Sequence, residues 1–570
     1  MPEHAVGAKK ALFAAIFISV LIAAAILSTA LKGVSGNDES KNILFIAIAG
    51  ASLIGSAAFL FFTPNLSRRI VFIAGIAACV LISLSAIAFF RGATLHALAG
   101  FAFEPGTLIW SFACVAIMLA AYIVASRARA VSIAIWTILV SISAAALIGY
   151  VVQFFPSIPG VSDTSVDIRY LCGLGILIDA FLLVRSHLFR DRILLLVCLA
   201  LCAAGALVPV AKTSSQIQLS WQSTEHLALT AYAAEPGSLL FGTGPVSFSH
   251  VWNQYRPKEV NATPFWNQDF EQGFSFLSTL TLEFGVLPLL LLIIMPLSFG
   301  SAVWLRRLRS IPAEALLWLG LIWYGFVVIA FSRPGSSFML IALFLMGMCI
   351  SRTFSSSEAL AGISRKEVKW VLIALFLATG VALCSFAAMR AHALSEYNGG
   401  VAALQAETAQ PASAEEHFTA SLKKSTTLEA ARALASVQFL QSQLLVKSVS
   451  GTMTSSQAST TLHLLISAES AAETALSMDP MDLRTMIVLA NVRLFRFSVT
   501  GDSEELKKCQ EVSNEAARLY PAHPAALFLA AQAAAASQDY YDARSMLDSA
   551  LALKPDFTEA QKLRASLPAR

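Results

Sequence analysis

Charged residues are scarce in this chain, and this scarcity is the first constraint on its function. Only 13% of its 570 residues are Asp, Glu, Lys or Arg, whereas a soluble protein carries about 25%. Hydrophobic residues make up 56% of the chain. This composition excludes a purely soluble, disordered or nucleic-acid-binding protein, because the net charge of +4 is too small and too scattered to bind a polyanion.

The sequence also lacks the patterns of disulfide, metal and nucleotide sites. Seven of its eight cysteines fall in apolar runs, so neither a disulfide framework nor a Cys-rich metal site is expected. No His/Cys/Asp cluster has metal-ligand spacing, and no Gly-x-x-x-x-Gly-Lys-Ser/Thr loop occurs. We therefore predict no metal, no cofactor and no ATP-driven transport within this chain.

Long apolar runs occupy the first two thirds of the chain. A run of about 20 residues crosses about 30 Å of hydrocarbon as a helix. We therefore predict an all-α fold, with a polytopic bundle of about eleven transmembrane helices over residues 1–389 and a soluble helical domain over residues 390–570. The predicted spans are 11–31, 43–62, 70–90, 107–126, 130–150, 170–184, 193–210, 276–300, 315–331, 336–350 and 370–389.

The basic residues predict how these spans are oriented. If the N-terminus is cytoplasmic, the inner loops carry sixteen Lys and Arg residues and the short outer loops carry five. Cytoplasmic loops are enriched in basic residues, so this orientation is favoured. It predicts a multi-pass protein of the cytoplasmic (inner) membrane, in contact with the lipid bilayer. The segment 211–275 and the C-terminal domain would then both lie outside the cytoplasm.

The C-terminal domain contains a repeated pattern. Three times, a small residue is followed seven positions later by another and five positions after that by Pro: Ala468, Ala475 and Pro480; Cys509, Ala516 and Pro521; Ala543, Ala550 and Pro555. Small residues two turns apart let paired helices approach closely, and the Pro ends the second helix. The pattern resembles tetratricopeptide repeats, which implies a protein partner for this tail. An irregular Ala-rich helical bundle is the alternative.

One loop within the membrane domain is unusually long. Residues 211–275 exceed the length of about 15 residues beyond which a loop is usually functional or disordered, and their many aromatic side chains argue against disorder. Such aromatic density is typical of a segment at the outer bilayer interface. Ser220 is a candidate N-cap for a helix that ends near Ala234, and a second short helix is predicted from Val246 to Tyr255.

This loop and the helix after it resemble the O-antigen ligase-like family of polytopic membrane glycosyltransferases. The shared features are the Phe-Gly-Thr-Gly turn at 241–244, the aromatic residues Phe248 and Tyr255, and the Leu-Glu-Phe-Gly signature at 282–285. The resemblance implies metal-independent transfer of a glycan from an undecaprenyl-diphosphate carrier to a lipid or protein acceptor on the outer face of the membrane. Extension of a polymer is a close variant.

The lipid diphosphate that leaves in such a reaction needs cations or closely approaching backbone N–H groups. Gly242 and Gly244 would let the backbone approach it. The candidate cations on the predicted outer side are Arg256, Arg333, Lys258, Lys212 and Arg169. Of these, we expect Arg256 and Arg333 to bind the diphosphate.

The acceptor hydroxyl could need a general base, and carboxylates are the candidates in this loop. Asp269 and Glu271 are the nearest ones. Glu283 either orients an arginine or caps a helix. Trp221 and Tyr255 are the candidate contacts for the glycan.

Two positions depart from the family pattern. Many members carry a His nine residues before the Glu of the Glu-x-Gly signature, and here that residue is Phe274. The Arg at the start of the loop is also missing, with only Lys212 nearby. These departures leave open a rival function, a non-enzymatic membrane scaffold or polysaccharide transport component whose tail binds envelope proteins. Asp179, within the sixth predicted span, is a separate functional candidate.

Overall fold

The computed structural model describes most of the chain. It covers every residue except 1–15, 28–37, 64–67, 91–93, 127, 155–165, 187, 208–217, 287–289, 291–312, 355–365, 407, 449–453 and 569–570. Over the residues covered, the fold is all-helical and contains no strand, which confirms the predicted fold class at this level.

Fifteen helices are described up to residue 405. They are α1 Ile16–Leu27, α2 Asp38–Phe62, α3 Arg68–Phe90, α4 Leu95–Ala99, α5 Leu108–Val124, α6 Ala128–Phe154, α7 Val166–Arg185, α8 Phe189–Leu207, α9 Trp221–Ala234, α10 Ser238–Phe241, α11 Phe248–Tyr255, α12 Phe276–Phe284, α13 Ala313–Phe331, α14 Ser336–Phe354 and α15 Lys366–Gln405. A 3-10 helix, Lys258–Ala262, follows α11. Thr107 caps α5 and Ser275 caps α12, each by accepting a backbone N–H bond from its own helix.

Fewer helices than expected have the length and composition of membrane spans. In the described part of the chain, four do: Glu39–Phe62, Ile73–Phe90, Ala130–Ile148 and Glu367–Gln405. Shorter apolar helices of 10–17 residues cover Ile16–Leu27, Leu108–Val124, Leu317–Phe331 and Ser336–Ser351. The count of eleven is therefore not reached. Two of the predicted spans form helices that include charged residues, since α7 contains Asp167 and Arg169 and α8 contains Arg190, Asp191 and Arg192.

The predicted span 276–300 is interrupted early. Its first helix, α12, ends at Phe284 because Gly285 adopts φ +81°. A Cβ at Gly285 would lie 2.3 Å from the carbonyl oxygen of Leu240, so the preceding loop packs directly against this turn. Most of the remaining run lies outside the described residues.

Small residues set the closest helix contacts in the membrane domain. α2 crosses α15 where Gly50 faces Gly380, and a Cβ on either glycine would lie 2.7 Å from the carbonyl oxygen of the other. α5 and α14 meet where a Cβ on Gly347 would lie 2.3 Å from the Met118 carbonyl oxygen. In a bilayer, apolar helices associate through such close packing, because the lipid tails are as apolar as the helices and the hydrophobic effect does not drive the helices together.

A continuous helix joins the membrane domain to the tail. α15 is 40 residues long, and the predicted domain boundary at residue 389 lies within it. Arg390, the residue after this boundary, is buried. Its guanidinium lies 5.7 Å from the ring centre of Phe103 and 5.4 Å from that of Phe386. It also donates to the Phe101 carbonyl oxygen at 3.3 Å. These contacts fix the start of the tail against the segment between α4 and α5.

The tail consists of helices that pack pairwise. They are α16 Pro411–Lys424, α17 Leu428–Ser448, α18 Ser455–Met478, α19 Leu483–Thr500, α20 Ser503–Leu519, α21 Pro524–Ala536, α22 Tyr540–Leu553 and α23 Thr558–Ser566. The six small residues of the repeated pattern are all buried. Each repeated Pro lies two positions after the last residue of α18, α20 or α22, directly after the C-cap residue, so these helices stop where the sequence predicted.

Candidate functional site

The described part of the long loop, residues 218–275, folds into its own helical unit. Ser220 caps α9 by accepting a backbone N–H bond at 3.1 Å, and α9 ends at Ala234, as the sequence predicted. The second predicted helix is present as α11. Phe248 and Trp252 are fully buried in the core of this unit. Part of the aromatic content predicted for the bilayer interface therefore stabilises the loop itself.

Gly242 and Gly244 pack the turn before α11 against the end of α12. The N–H of Thr243 donates to the Leu282 carbonyl at 2.9 Å, and the N–H of Gly244 donates to the Glu283 carbonyl at 3.0 Å. Both glycines have positive φ, and a Cβ on Gly242 would lie 2.0 Å from the Glu283 carbonyl oxygen. This backbone approach explains the glycines without a ligand, and their contact with a diphosphate stays a prediction.

The buried side chain of Glu283 lies against the start of α11. Its carboxylate faces the backbone N–H groups of Val246 and Phe248. Val246 has φ +56°, which is unusual for a β-branched residue. One oxygen, Oε2, lies beside Gly106 and has no hydrogen-bond partner among the described residues. The carboxylate is thus placed for helix capping, one of the two roles expected for Glu283.

Arg256, directly after α11, is the most completely enclosed cation of the loop. Only 2% of the residue is exposed, and none of its three guanidinium nitrogens has a hydrogen-bond partner in the described part of the chain. Burial lowers the pKa of Arg256 to about 10, and the charge of Asp269 offsets this only in part. A buried cation without hydrogen bonds is costly. Arg256 is therefore well suited to receive an anionic ligand.

Arg333 lies in the turn between α13 and α14 and is half-buried. Its Nε and one terminal nitrogen have no hydrogen-bond partner within the described residues, and burial lowers its pKa to about 10. The carbonyl of the preceding residue, Ser332, accepts the N–H of Phe276 at 3.0 Å, which places the turn beside the start of α12. Arg256 instead lies near Asp269, so the described contacts do not bring the two arginines together.

A large apolar cavity of about 870 Å³ lies between α3, α5, α12, α13 and α14. The cavity is lined by Trp110 from α5, Phe276 and Phe284 from α12, Trp318 from α13 and Met339 from α14, among others. Phe276, which lines the cavity, donates its backbone N–H to Ser332, so the turn that carries Arg333 adjoins the α12 wall of the cavity. The arrangement combines space for an apolar chain with a site for its charged end.

The two candidate bases differ in their surroundings. Asp269 forms an ion pair with Arg484 of the tail, which neutralises its charge. Glu271 is exposed to solvent, and the surrounding protein, followed by the charge of Glu429 in the tail, raises its pKa. Burial and Glu429 also raise the pKa of Glu104, before α5, to about 7. Glu271 and Glu104 are therefore better suited than Asp269 to accept a proton near neutral pH.

Three further cations were predicted at the site. Lys258 is exposed, Arg169 is half-buried, and Lys212 lies outside the described residues. Asp179 is fully buried in α7, and neither of its carboxylate oxygens has a hydrogen-bond partner in the part of the chain that is described.

The aromatic candidates have packing roles in the loop. Trp221 is 54% exposed, and its ring lies edge-on to Phe274 with 5.6 Å between ring centres. Tyr255 is half-buried, and burial raises its pKa. The backbone of Phe274 bonds to Thr224 Oγ1 at 2.9 Å and to Gln218 Nε2 at 2.6 Å. The position that carries His in many family members therefore supplies packing and no titratable group.

Sequence reasoning missed the contacts between the loop and the tail. His250 Nε2 lies 2.8 Å from Asp479 Oδ2, although the two residues are 229 positions apart. Burial by itself lowers the pKa of His250, but the hydrogen bond and charge of Asp479 outweigh it and raise the pKa. Arg390 and Glu429 were missed for the same reason, because no local pattern links residues so distant in sequence.

No protein-family model matches this sequence, and no curated protein matches it. The function must therefore be inferred from the site itself. Its main features within the described residues are the buried Arg256 without hydrogen-bonded partners, an apolar cavity that adjoins the turn of the half-buried Arg333, and a group of carboxylates where the loop meets the tail.

Proposed function

We propose that the chain is a polytopic membrane glycosyltransferase of the O-antigen ligase-like kind. It would move a glycan from an undecaprenyl-diphosphate carrier to a lipid or protein acceptor on the outer face of the cytoplasmic membrane. The observation that carries this proposal is the apolar cavity of about 870 Å³, one of whose lining residues, Phe276, is hydrogen-bonded to the turn that carries Arg333. A lipid diphosphate has the matching chemistry, an apolar chain joined to a strong anion.

The contacts support the predicted topology. Segments predicted on the outer side touch one another: the 94–107 segment, the loop, the turn at Arg333 and the tail. Segments predicted on the inner side also meet, since Lys369 Nζ donates to the Thr63 carbonyl at 2.6 Å. Because polar loops do not cross the hydrocarbon layer, such sorting is expected of a polytopic membrane protein.

The proposed chemistry is a displacement at the anomeric carbon of the glycan. The acceptor oxygen forms the new bond while the bond to the diphosphate oxygen breaks, and the diphosphate leaves as an anion stabilised by Arg333, with Arg256 as the second anion-binding residue. The acceptor hydroxyl loses its proton to a carboxylate, for which Glu271 is the better placed of the two predicted bases. Asp269 then serves to hold the tail.

The tail is proposed to be a tetratricopeptide-like domain. Its buried small residues and the helix ends before each repeated Pro support this assignment. In this proposal the membrane domain binds the lipid-linked glycan and the acceptor, and the tail binds protein.

Gene deletion tests the proposed function. Loss of the chain is expected to alter the surface glycans and to cause the lipid-linked glycan to accumulate, because transfer consumes it. Complementation with the wild-type chain should reverse both effects, and Arg333→Ala should not. Arg192→Ala is the matched control, because Arg192 is exposed and bonded to the Ser186 carbonyl at the start of α8.

The rival scaffold function makes the opposite prediction. A scaffold would tolerate Arg333→Ala, since its partners would bind the tail. Unchanged surface glycans and no accumulation of lipid-linked glycan in the deletion strain would remove the transferase proposal.

A further inference from the structure

The tail meets the loop at equivalent places in successive repeats. Each contact point lies where a repeated Pro follows a helix: at Asp479 before Pro480, at Ala522 after Pro521, and at Lys554 before Pro555. We call these the first, second and third corners. Because the repeat spaces the corners regularly along one edge of the tail, an extended segment can contact all three.

The first corner makes two ionic contacts with the loop. Asp479 accepts a hydrogen bond from His250 at 2.8 Å, and these side chains are 5% and 14% exposed. Arg484, at the start of α19, pairs with Asp269. The charges alternate across the interface, with a cation and an anion on each side. Such complementarity fixes the register of two surfaces.

The second and third corners hold the 3-10 segment after α11. Asn261 is fully buried, donates through Nδ2 to the Ala522 carbonyl at 3.2 Å, and accepts from Lys554 Nζ at 3.2 Å through its backbone carbonyl. Trp266 fits between Lys554, whose Nζ lies 5.1 Å from the ring centre, and Phe557, whose ring centre is also 5.1 Å away. This is an aromatic anchor in a pocket with a hydrogen-bonded neighbour.

We propose that this edge of the tail acts within its own chain, as a clamp that holds loop residues 250–269 at all three corners. The partner of these corners is thus the loop, and the tail is a positioning element for Arg256, which lies between the clamped residues. The clamp needs no glycan, so it stands or falls separately from the proposed transferase activity.

The location of Arg256 supports this role. His523, adjacent to the second corner, is buried and caps α21, and the charge of Arg256 helps to hold its pKa low. His523 of the tail is therefore close enough to Arg256 for their charges to interact. Removal of the clamp should separate them and expose the loop backbone to solvent.

Hydrogen exchange of the full chain in lipid nanodiscs tests the clamp. The test variant combines Asp479→Asn with Lys554→Met, which removes one charge from the first corner and one from the third. Asp479→Asn keeps the oxygen that accepts the Met481 N–H, so the corner itself should fold. Amide exchange over residues 248–270 is expected to rise at least about tenfold, the factor for loss of one or two charge-assisted hydrogen bonds. Amide exchange in the interiors of the helices α18 to α23 should not change.

The matched control combines Asp548→Asn with Lys562→Met. Asp548 pairs with Arg564 on the exposed face of the tail, and Lys562 is also exposed, so this variant should exchange like the wild-type chain. Unchanged loop exchange in the test variant would overturn the proposal.

If the test variant unfolds the tail, His250→Gln changes the loop side alone. It should then raise exchange in the 479–484 segment, and wild-type exchange there would also overturn the clamp.

Discussion

Replacement of Arg256 by Met is expected to stabilise the unliganded protein while it abolishes activity. The guanidinium is almost wholly buried and has no hydrogen-bond partner in the described chain. Burial lowers the pKa of Arg256 from its ordinary value to about 10, which corresponds to a cost of about 3 kcal/mol for the charged form, since a tenfold change in an acid constant is worth about 1.4 kcal/mol. Because the folded pKa is the lower one, this cost is present at neutral pH and disappears only above pH 10.

Met keeps most of the length of the side chain and removes the charge. Some contacts of the guanidinium with its apolar surroundings are lost, so the expected net gain is about 1–3 kcal/mol. Thermal unfolding in detergent, followed by tryptophan fluorescence, measures the change because Trp252 is buried in the same unit. Arg192→Met, at an exposed arginine, should change stability by less than about 0.5 kcal/mol.

Inorganic pyrophosphate is the probe for the anion site. It should raise the unfolding temperature of the wild-type chain by more than that of Arg256→Met, which retains only Arg333, because binding to the folded state stabilises it. A fall of more than about 1 kcal/mol in Arg256→Met would refute the reasoning, since it would mean that the guanidinium already has a stabilising partner.

Three further results are expected. Gly242→Ala should destabilise the loop by at least about 1–2 kcal/mol in thermal unfolding, because φ is +72° there and the new Cβ would collide with the Glu283 carbonyl oxygen. Gly320→Ala should not, because a Cβ at Gly320 has open space around it. Glu283→Gln should retain the cap of α11 and much of the activity, and loss of all transfer would indicate a further role. The His250–Asp479 contact should protect the first corner best between about pH 4 and 6.5, measured by hydrogen exchange corrected for intrinsic rates. Because the pKa of His250 is raised, the stability that its charge contributes is lost as the pH rises through that pKa. Because the pKa of Asp479 is lowered, the stability that its charge contributes is lost in acid. Protection that grows above pH 7 would contradict this assignment.

Local features of the loop and tail were predictable because nearby residues decide them. Ser220 and the 235–237 segment bound α9, and the repeated Pro residues end the tail helices, since capping and the missing Pro N–H act within one turn. The number of spans was not predictable in the same way. Hydropathy treats 276–300 as one run, whereas contact with Leu240 turns the chain at Gly285.

The scarcity of charge determined by itself that much of this chain is apolar helix, because a helix satisfies its own backbone when few polar partners are present. The sequence also identified Arg256 and Arg333 as the unusual cations of the outer side. Only the tertiary structure decided their surroundings: the turn of Arg333 adjoins an apolar cavity, and Arg256 is buried in a loop that is bonded to the tail. The physical reason is distance along the chain, since the contacts between this loop and the tail join residues more than 200 positions apart, where no periodicity or local preference operates.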